Sequence, residues 1–315
     1  MRGLGIGFAV IACLGCSQES DSGGAASGGG GAGSSGGTSG SSGGNSGSGG
    51  GTGGSVSPGD NGYYESLAAR SDVHFTASLR SDVEINAHRN GKPHDPPDVV
   101  YDPAADGARM RMPSGAGSIA TQIRLSFPAV ASGNLLFYWE GRWEAGFVSD
   151  GDVDGLQTNK AYQLARSGPG DNRRIEARTR FALVDSPFVA AVDTRSYWFA
   201  PAQGSDQPVQ PQVGSFDIKP DTWTRFWAFV DFANGQYSYW VADETSGPVV
   251  IHDAIGIDYS PLPPGAGPGL DTFWFEHNSS QSRTAGTPDL FIWGRNLVVL
   301  KDVSDASGVV QSYQP

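Results

Sequence analysis

The sequence predicts an all-β fold, an antiparallel β-sandwich of two sheets packed face to face, on three observations. From Asp60 onward, short runs alternate apolar and polar side chains, the period of a half-buried strand. Breaks such as Asp95-Pro96-Pro97, Ser167-Gly168-Pro169-Gly170 and Pro263-Pro264-Gly265 separate those runs and stop regular structure. No amphipathic helical period persists over a convincing span, and a domain of this size with many strands and little helix closes most simply as a sandwich.

The chain has 315 residues, and its N-terminal part reads differently from the rest. Arg2 followed by the apolar run Leu4 to Leu14 has the form of a secretory leader, too short to span a membrane as a helix. It ends in Cys13-Leu14-Gly15-Cys16, which resembles a bacterial lipoprotein signal with residues 1–15 removed and Cys16 lipidated. Cys13 stands where such signals usually carry Leu, so an ordinary cleaved leader stays open as the other reading. Residues 16–59 are almost all Gly, Ser, Ala and Thr, which bury too little surface to offset ordering entropy. They are expected to form a flexible tether with an r.m.s. reach of roughly 35 Å. Residues 60–303 form the folded domain, and 304–315, where the alternation is lost, read as a loose tail.

Within the domain the expected strands are Val73 to Leu79, Arg109 to Met112, Ser118 to Phe127, Asn134 to Phe147, Lys160 to Ala165, Arg174 to Leu183 and Ser196 to Ala200. A hairpin, TWTRFWAFVDFANGQYSYWVAD, follows over Thr222 to Asp243 and turns at Asn234-Gly235, since both residues tolerate the positive φ of a tight turn. Pro248 to His252, Asp271 to His277 and Leu290 to Leu300 complete the set. The last is the most apolar, so it belongs at the centre of a sheet. Tyr63 to Arg70 is either one short helix or a loop.

Alternation sorts the side chains into faces. The hairpin sets Phe226, Ala228 and Val230 against Arg225, Trp227 and Phe229, and its second strand sets Tyr237 and Tyr239 against Ser238 and Trp240. Arg174, Glu176, Arg178 and Arg180 share one face of their strand, opposite Ile175, Ala177, Thr179 and Phe181. The formal charge is −12, which argues against nucleic acid and anionic lipid surfaces as partners. Yet Arg142, Lys160, Arg174, Arg178, Arg180 and Arg225 fall on strands that also carry Trp and Tyr. Aromatic rings stack on sugars and guanidinium groups pair with carboxylates, so a trough of this composition suits an anionic polysaccharide. The bland alternative is a set of cross-strand ion pairs, with Glu140 and Glu176 neutralising the arginines.

The segments KAYQLAR, TWTRFWAFVDFANGQYSYWVADE, FWFEHNSS and WGRNLVVL together resemble the concanavalin A-like jelly-roll superfamily, in particular bacterial proteins similar to polysaccharide lyases of that fold. The resemblance covers about Tyr64 to Asp302 in pattern and is sharp only in those blocks. It implies glycan binding on a concave sheet. In the lyases it also implies β-elimination at a uronate, with an Arg or amide neutralising the acid and a Tyr or His moving the proton. The Gln-Ile-His or Gln-Val-His element of alginate lyases is missing here, as is their Tyr-rich last-strand motif, so no catalytic set carries over residue by residue. The candidates are Tyr239, His277 and Arg178 for chemistry. Arg142, Lys160, Gln163, Arg174, Glu176, Arg180, Arg225, Trp227, Tyr237 and Trp274 are the candidates for substrate binding.

The two cysteines, Cys13 and Cys16, both precede the domain, so the domain has neither a disulfide nor a thiol nucleophile. Asp150, Asp152 and Asp154 open like a calcium loop, but Ala161 stands where an EF-hand carries its bidentate Glu. A structural Ca²⁺ completed from elsewhere is the one cofactor this leaves open, and the other reading is a solvated acidic loop. The expectation is therefore an exported monomer, lipid-anchored in a bacterial cell envelope at the outer membrane or cell surface, that binds an anionic polysaccharide and no nucleic acid. Two alternatives stay open, a polysaccharide lyase and a non-catalytic structural or adhesive protein.

Overall fold

The computed structural model describes residues 62–88, 99–112, 120–130, 132–144, 156–165, 174–182, 195–199, 206–209, 213–214, 216, 218–256, 270–278 and 289–315. All of them lie in the unit Gly54–Pro315. The expected leader, Cys16, the tether and the acidic loop Asp150, Asp152 and Asp154 lie outside the described residues.

The fold is an all-β sandwich of antiparallel strands. The strands are β1 (Val73–Ala77), β2 (Val99–Asp102), β3 (Gly107–Met112), β4 (Ala120–Val130), β5 (Asn134–Trp143), β6 (Leu156–Ala165) and β7 (Arg174–Ala182). They continue as β8 (Arg195–Phe199), β9 (Asp206–Val209), β10 (Thr224–Asp231), β11 (Gln236–Asp243), β12 (Ser246–Gly256), β13 (Leu270–Asn278) and β14 (Leu290–Lys301). Three six-residue helices accompany them: α1 (Tyr63–Ala68), α2 (Asp82–Ala87) and α3 (Ala306–Gln311). One sheet has eight strands in the order β12-β11-β10-β5-β14-β3-β2, with β1 also paired to β14. The other has six, in the order β4-β13-β6-β7-β8-β9.

Period-two alternation explains the core between the sheets. Phe137, Trp139, Phe226, Ala228, Tyr239 and Val241 from the larger sheet meet Ile123, Leu125, Leu164, Phe273 and Phe275 from the smaller one. Trp139 stacks on Phe226 at 5.3 Å and leans on Phe273 at 5.2 Å across the sandwich. The last strand is central, as its apolar run predicts. It pairs with β5 on one side and with β3 and then β1 on the other. Its register slips between Arg295 and Val298, with Asn296 at φ 60, at the changeover from β3 to β1.

Two expectations need correction. The hairpin does not close on a two-residue Asn-Gly turn. Asp231 pairs with Gln236, leaving the four-residue loop 232–235. The Asp231 carboxylate accepts from the backbone N–H groups of Ala233 and Asn234, and Gly235 takes the positive φ of 59 that the loop requires. Nor are residues 304–315 a loose tail. Asp305 caps α3 by accepting from Gly308 N at 2.7 Å, and Val309, Val310 and Tyr313 are buried against the larger sheet.

Candidate functional site

The outer face of the larger sheet is closed over much of its area. Leu136, Tyr138, Trp227, Trp240, Val298 and Leu300 form a second core there with Tyr63 and Leu67 of α1 and with Val309, Val310 and Tyr313. Tyr63 ties the two chain segments together, since its hydroxyl donates to Val309 O at 2.8 Å and receives the Trp227 indole N–H at 3.3 Å. Sequence reasoning expected an open face here because Arg225 and Trp227 alternate with core residues. Both are instead buried, at 1% and 0% exposure.

Beneath this cover lies a charge cluster. Register sets Glu140 beside Arg225 on β10 and beside Arg295 on β14. Glu140 accepts from Arg295 Nε at 2.7 Å, Tyr138 Oη at 2.6 Å and Asn296 Nδ2 at 2.9 Å. Burial alone would raise its carboxyl, but the Arg295 and Arg225 charges and the two further hydrogen bonds prevail and hold it at about 2. Arg295 also lies 4.0 Å from the centre of the Trp223 ring. Arg142 sits over Trp293 at 4.9 Å and pairs with Asp221 at 3.5 Å. Arg142 is thus paired with Asp221 and Arg225 is buried beside Glu140, and both lie in the larger sheet, apart from the smaller one.

Tyr237 and Tyr239 lie in the inter-sheet core at 0% exposure. Burial, with a lesser push from Tyr237, drives the Tyr239 hydroxyl well above the ordinary phenol range, the reverse of what a proton acceptor needs. Of the three catalytic candidates, Tyr239 is thus buried in the core, and the side chains of His277 and Arg178 lie outside the described residues.

The smaller sheet does gather its candidates. Leu164 is buried in the core and pairs with Ile175 and Phe273, so Gln163 and Glu176, one residue on in each pairing, take the opposite parity. Register then runs one line across five strands: Arg124 on β4, Trp274 on β13, Gln163 on β6, Glu176 on β7 and Tyr197 on β8. A second line joins Lys160, Arg178 and Arg195 on β6, β7 and β8. Arg174 and Arg180 share the parity of Arg178. Of the cations on these strands, the structure describes the side chain of Arg124, which is half-buried. The guanidinium of Arg124 stacks on Trp274 at 3.9 Å, so this ring presents a cation and not a bare platform for a sugar. The half-buried Trp274 has no hydrogen-bond partner for its indole N–H among the described residues.

Arg124, Arg195 and Tyr197 were missed from the sequence. Arg124 lies between the core residues Ile123 and Leu125, so parity could have found it. Arg195 stands just before the expected strand Ser196 to Ala200, whereas the observed strand begins with it. Among the described residues no cluster of His, Cys, Asp or Glu could hold a metal ion.

No protein-family model and no curated protein matches the sequence. Among solved structures the chain is similar to the catalytic domain of a glycoside hydrolase family 131 protein from Coprinopsis cinerea. The identity is 10%, over 75% of this chain and 100% of that one, with a TM-score of 0.40. It is also similar to the carbohydrate recognition domain of Emp46p, at 10% identity over 72% and 97% of the two chains and a TM-score of 0.38. A putative β-glucanase from Mycobacterium abscessus aligns at 14% identity over 73% and 93%, with a TM-score of 0.34. At such TM-scores these likenesses carry no argument about what this chain does.

Proposed function

We propose that this protein binds an anionic, uronate-containing polysaccharide on the outer face of the six-stranded sheet. The observation that supports the reading is the backbone register that pairs Lys160 with Arg178 and Arg178 with Arg195, with Arg124 on the same sheet, in a molecule of net charge −12. Cations concentrated against the sign of the whole chain suit a polyanion, and Gln163, Glu176 and Tyr197 beside them suit sugar hydroxyls. The leader and Cys16 complete the proposal as a lipid anchor in a bacterial cell envelope, with residues 16–59 as the tether. Intact mass of the wild type and of Cys16→Ala tests the anchor, and the expected lipid mass is missing from the variant.

Titration calorimetry with soluble polyuronates and with their carboxyl-reduced, neutral forms tests the ligand. The expected result is binding of the charged polymer alone, weakened by Arg178→Ala at unchanged melting temperature. Binding to neither polymer, with Arg178→Ala indistinguishable from wild type, would falsify the glycan reading. Products with the ultraviolet absorbance of an unsaturated uronate would add cleavage to binding.

A further inference from the structure

We propose that Asn234 is a modification site, a point of spontaneous deamidation in the hairpin loop, and that the Asp231 carboxylate sets its rate in the folded protein. The site does not depend on the polysaccharide reading.

Deamidation needs a backbone nitrogen that can reach the carboxamide of the residue before it. Asn-Gly meets that need best, because glycine has no Cβ to hinder the approach. The Gly235 nitrogen bonds to Asn234 Cγ and gives up its proton, the Cγ–Nδ2 bond breaks, and the amide nitrogen takes up a proton and leaves as ammonia. Water then opens the five-membered imide at one of its two carbonyls. Opening at the side-chain carbonyl gives aspartate, and opening at the main-chain carbonyl gives isoaspartate, which has one more atom in the backbone. One water is consumed and one ammonia released, and water is the only co-reactant.

The chain holds three Asn-Gly pairs, beginning at Asn61, Asn90 and Asn234. The third lies in the loop 232–235 between the paired residues Asp231 and Gln236, and Asn234 is exposed to the water that the second step consumes. One neighbouring group restrains it. Asp231 Oδ2 accepts from Asn234 Nδ2 at 2.6 Å, while Oδ1 accepts from Asn234 N at 3.1 Å and from Ala233 N at 2.9 Å. The carboxamide is thereby drawn to the side of its own N–H group, whereas ring closure needs it on the side of the Gly235 nitrogen. The bond to Asp231 must break first, and hydrogen bonds to a charged group are the stronger kind. The products are disfavoured in the same loop. Aspartate at 234 turns a carboxylate toward Asp231 where the amide donated, and isoaspartate lengthens a loop whose ends are fixed by strand pairing. Deamidation therefore loosens the turn between β10 and β11, the two strands that carry Trp227, Tyr237 and Tyr239.

The experiment incubates the full chain at mildly alkaline pH, folded and in urea, and follows Asn234 by peptide mass mapping. Folded wild type is expected to convert Asn234 to a mixture of aspartate and isoaspartate, more slowly than the chain in urea. Asp231→Ala is expected to convert about three- to tenfold faster than wild type, the weight of one exposed hydrogen bond to a charged group. Asp231→Asn keeps an acceptor for the backbone N–H groups without the charge, and it repeats the test should Asp231→Ala fail to fold. Asn234→Asp, which imitates one product, is expected to melt about 2–4 °C below wild type. An Asn234 that stays intact in folded wild type and in both Asp231 variants, while the chain in urea converts, overturns the site. Asp231 variants that convert at the wild-type rate, or wild type that converts as fast folded as in urea, overturn the part given to Asp231. An Asn234→Asp chain that melts with wild type overturns the loosening of the turn.

Discussion

Glu140 shows how one residue can look like a ligand group in sequence and act as a structural one. Its parity with Tyr138 and Arg142 is what a wet, charged face would show, yet its side chain is 2% exposed and bonded to Arg295. A buried carboxylate between two guanidinium groups is costly to break from one side, because the arginines would lose their counter-ion. Glu140→Gln is therefore expected to lose about 3–5 kcal/mol at neutral pH, read by urea unfolding. The pH dependence follows from the sign of the shift. The folded carboxyl sits at about 2, below the ordinary 4.5, so its contribution is complete above about 4.5 and disappears as pH falls toward 2. The gap between wild type and Glu140→Gln should narrow over that range, and a gap that is the same at every pH would show that Glu140 is not ionised in the fold. Tyr239 gives the opposite lesson. Its parity is that of a core residue, and alternation alone does not say which face of a strand is open. Tyr239→Phe is expected to leave polysaccharide binding unchanged in calorimetry, and a loss of binding would return this residue to the site.

At the scale of elements, the terminal segments decide which face is available. Tyr313 is 2% exposed, donates to Asp243 O at 2.9 Å and packs edge-on to Tyr63 at 5.3 Å. Tyr313→Ala should remove about 3–5 kcal/mol, as for other large aromatic truncations in cores, and lower the melting temperature accordingly. A change within about 0.5 kcal/mol would mean that the C-terminal segment is not part of the cooperative unit. The same segment explains why this part of the fold was hard to read. Its helix has six residues, too few for an amphipathic period, and its two valines are adjacent. The central strand Leu290–Lys301 and the hairpin were legible because their alternation is long and their inner faces are wholly apolar. The short strands Val99–Asp102 and Asp206–Val209 were not, because four residues do not define a period. The candidate site was half legible for a related reason. Alternation gives the two faces of each strand, and the relation between strands comes only from pairing. Arg178 and Arg225 therefore looked equivalent until register put one on the smaller sheet and the other between β11 and β5 of the larger.

For the molecule as a whole the proposed reading implies a conflict of charge, cations that meet a polyanion on a chain of net charge −12. Its consequence depends on distance. On the proposed reading a polyanion on the smaller sheet meets cations directly, whereas the other sheet of a sandwich lies about 10 Å away. At 0.01 M ionic strength the screening length is about 30 Å and the whole negative body repels the polymer. Near physiological salt it is about 8 Å, so the body is screened while contacts on the face persist. At about 1 M it is near 3 Å, and release of counter-ions no longer favours the complex. Affinity for a polyuronate is accordingly expected to rise from low salt to a maximum near about 0.1–0.2 M and to fall beyond it, measured by calorimetry across that series. A protein whose cations outnumber its acids would show only the fall. A monotonic decrease here would mean that the face prevails at every distance and that the acidic body lies too far from the polymer to oppose it.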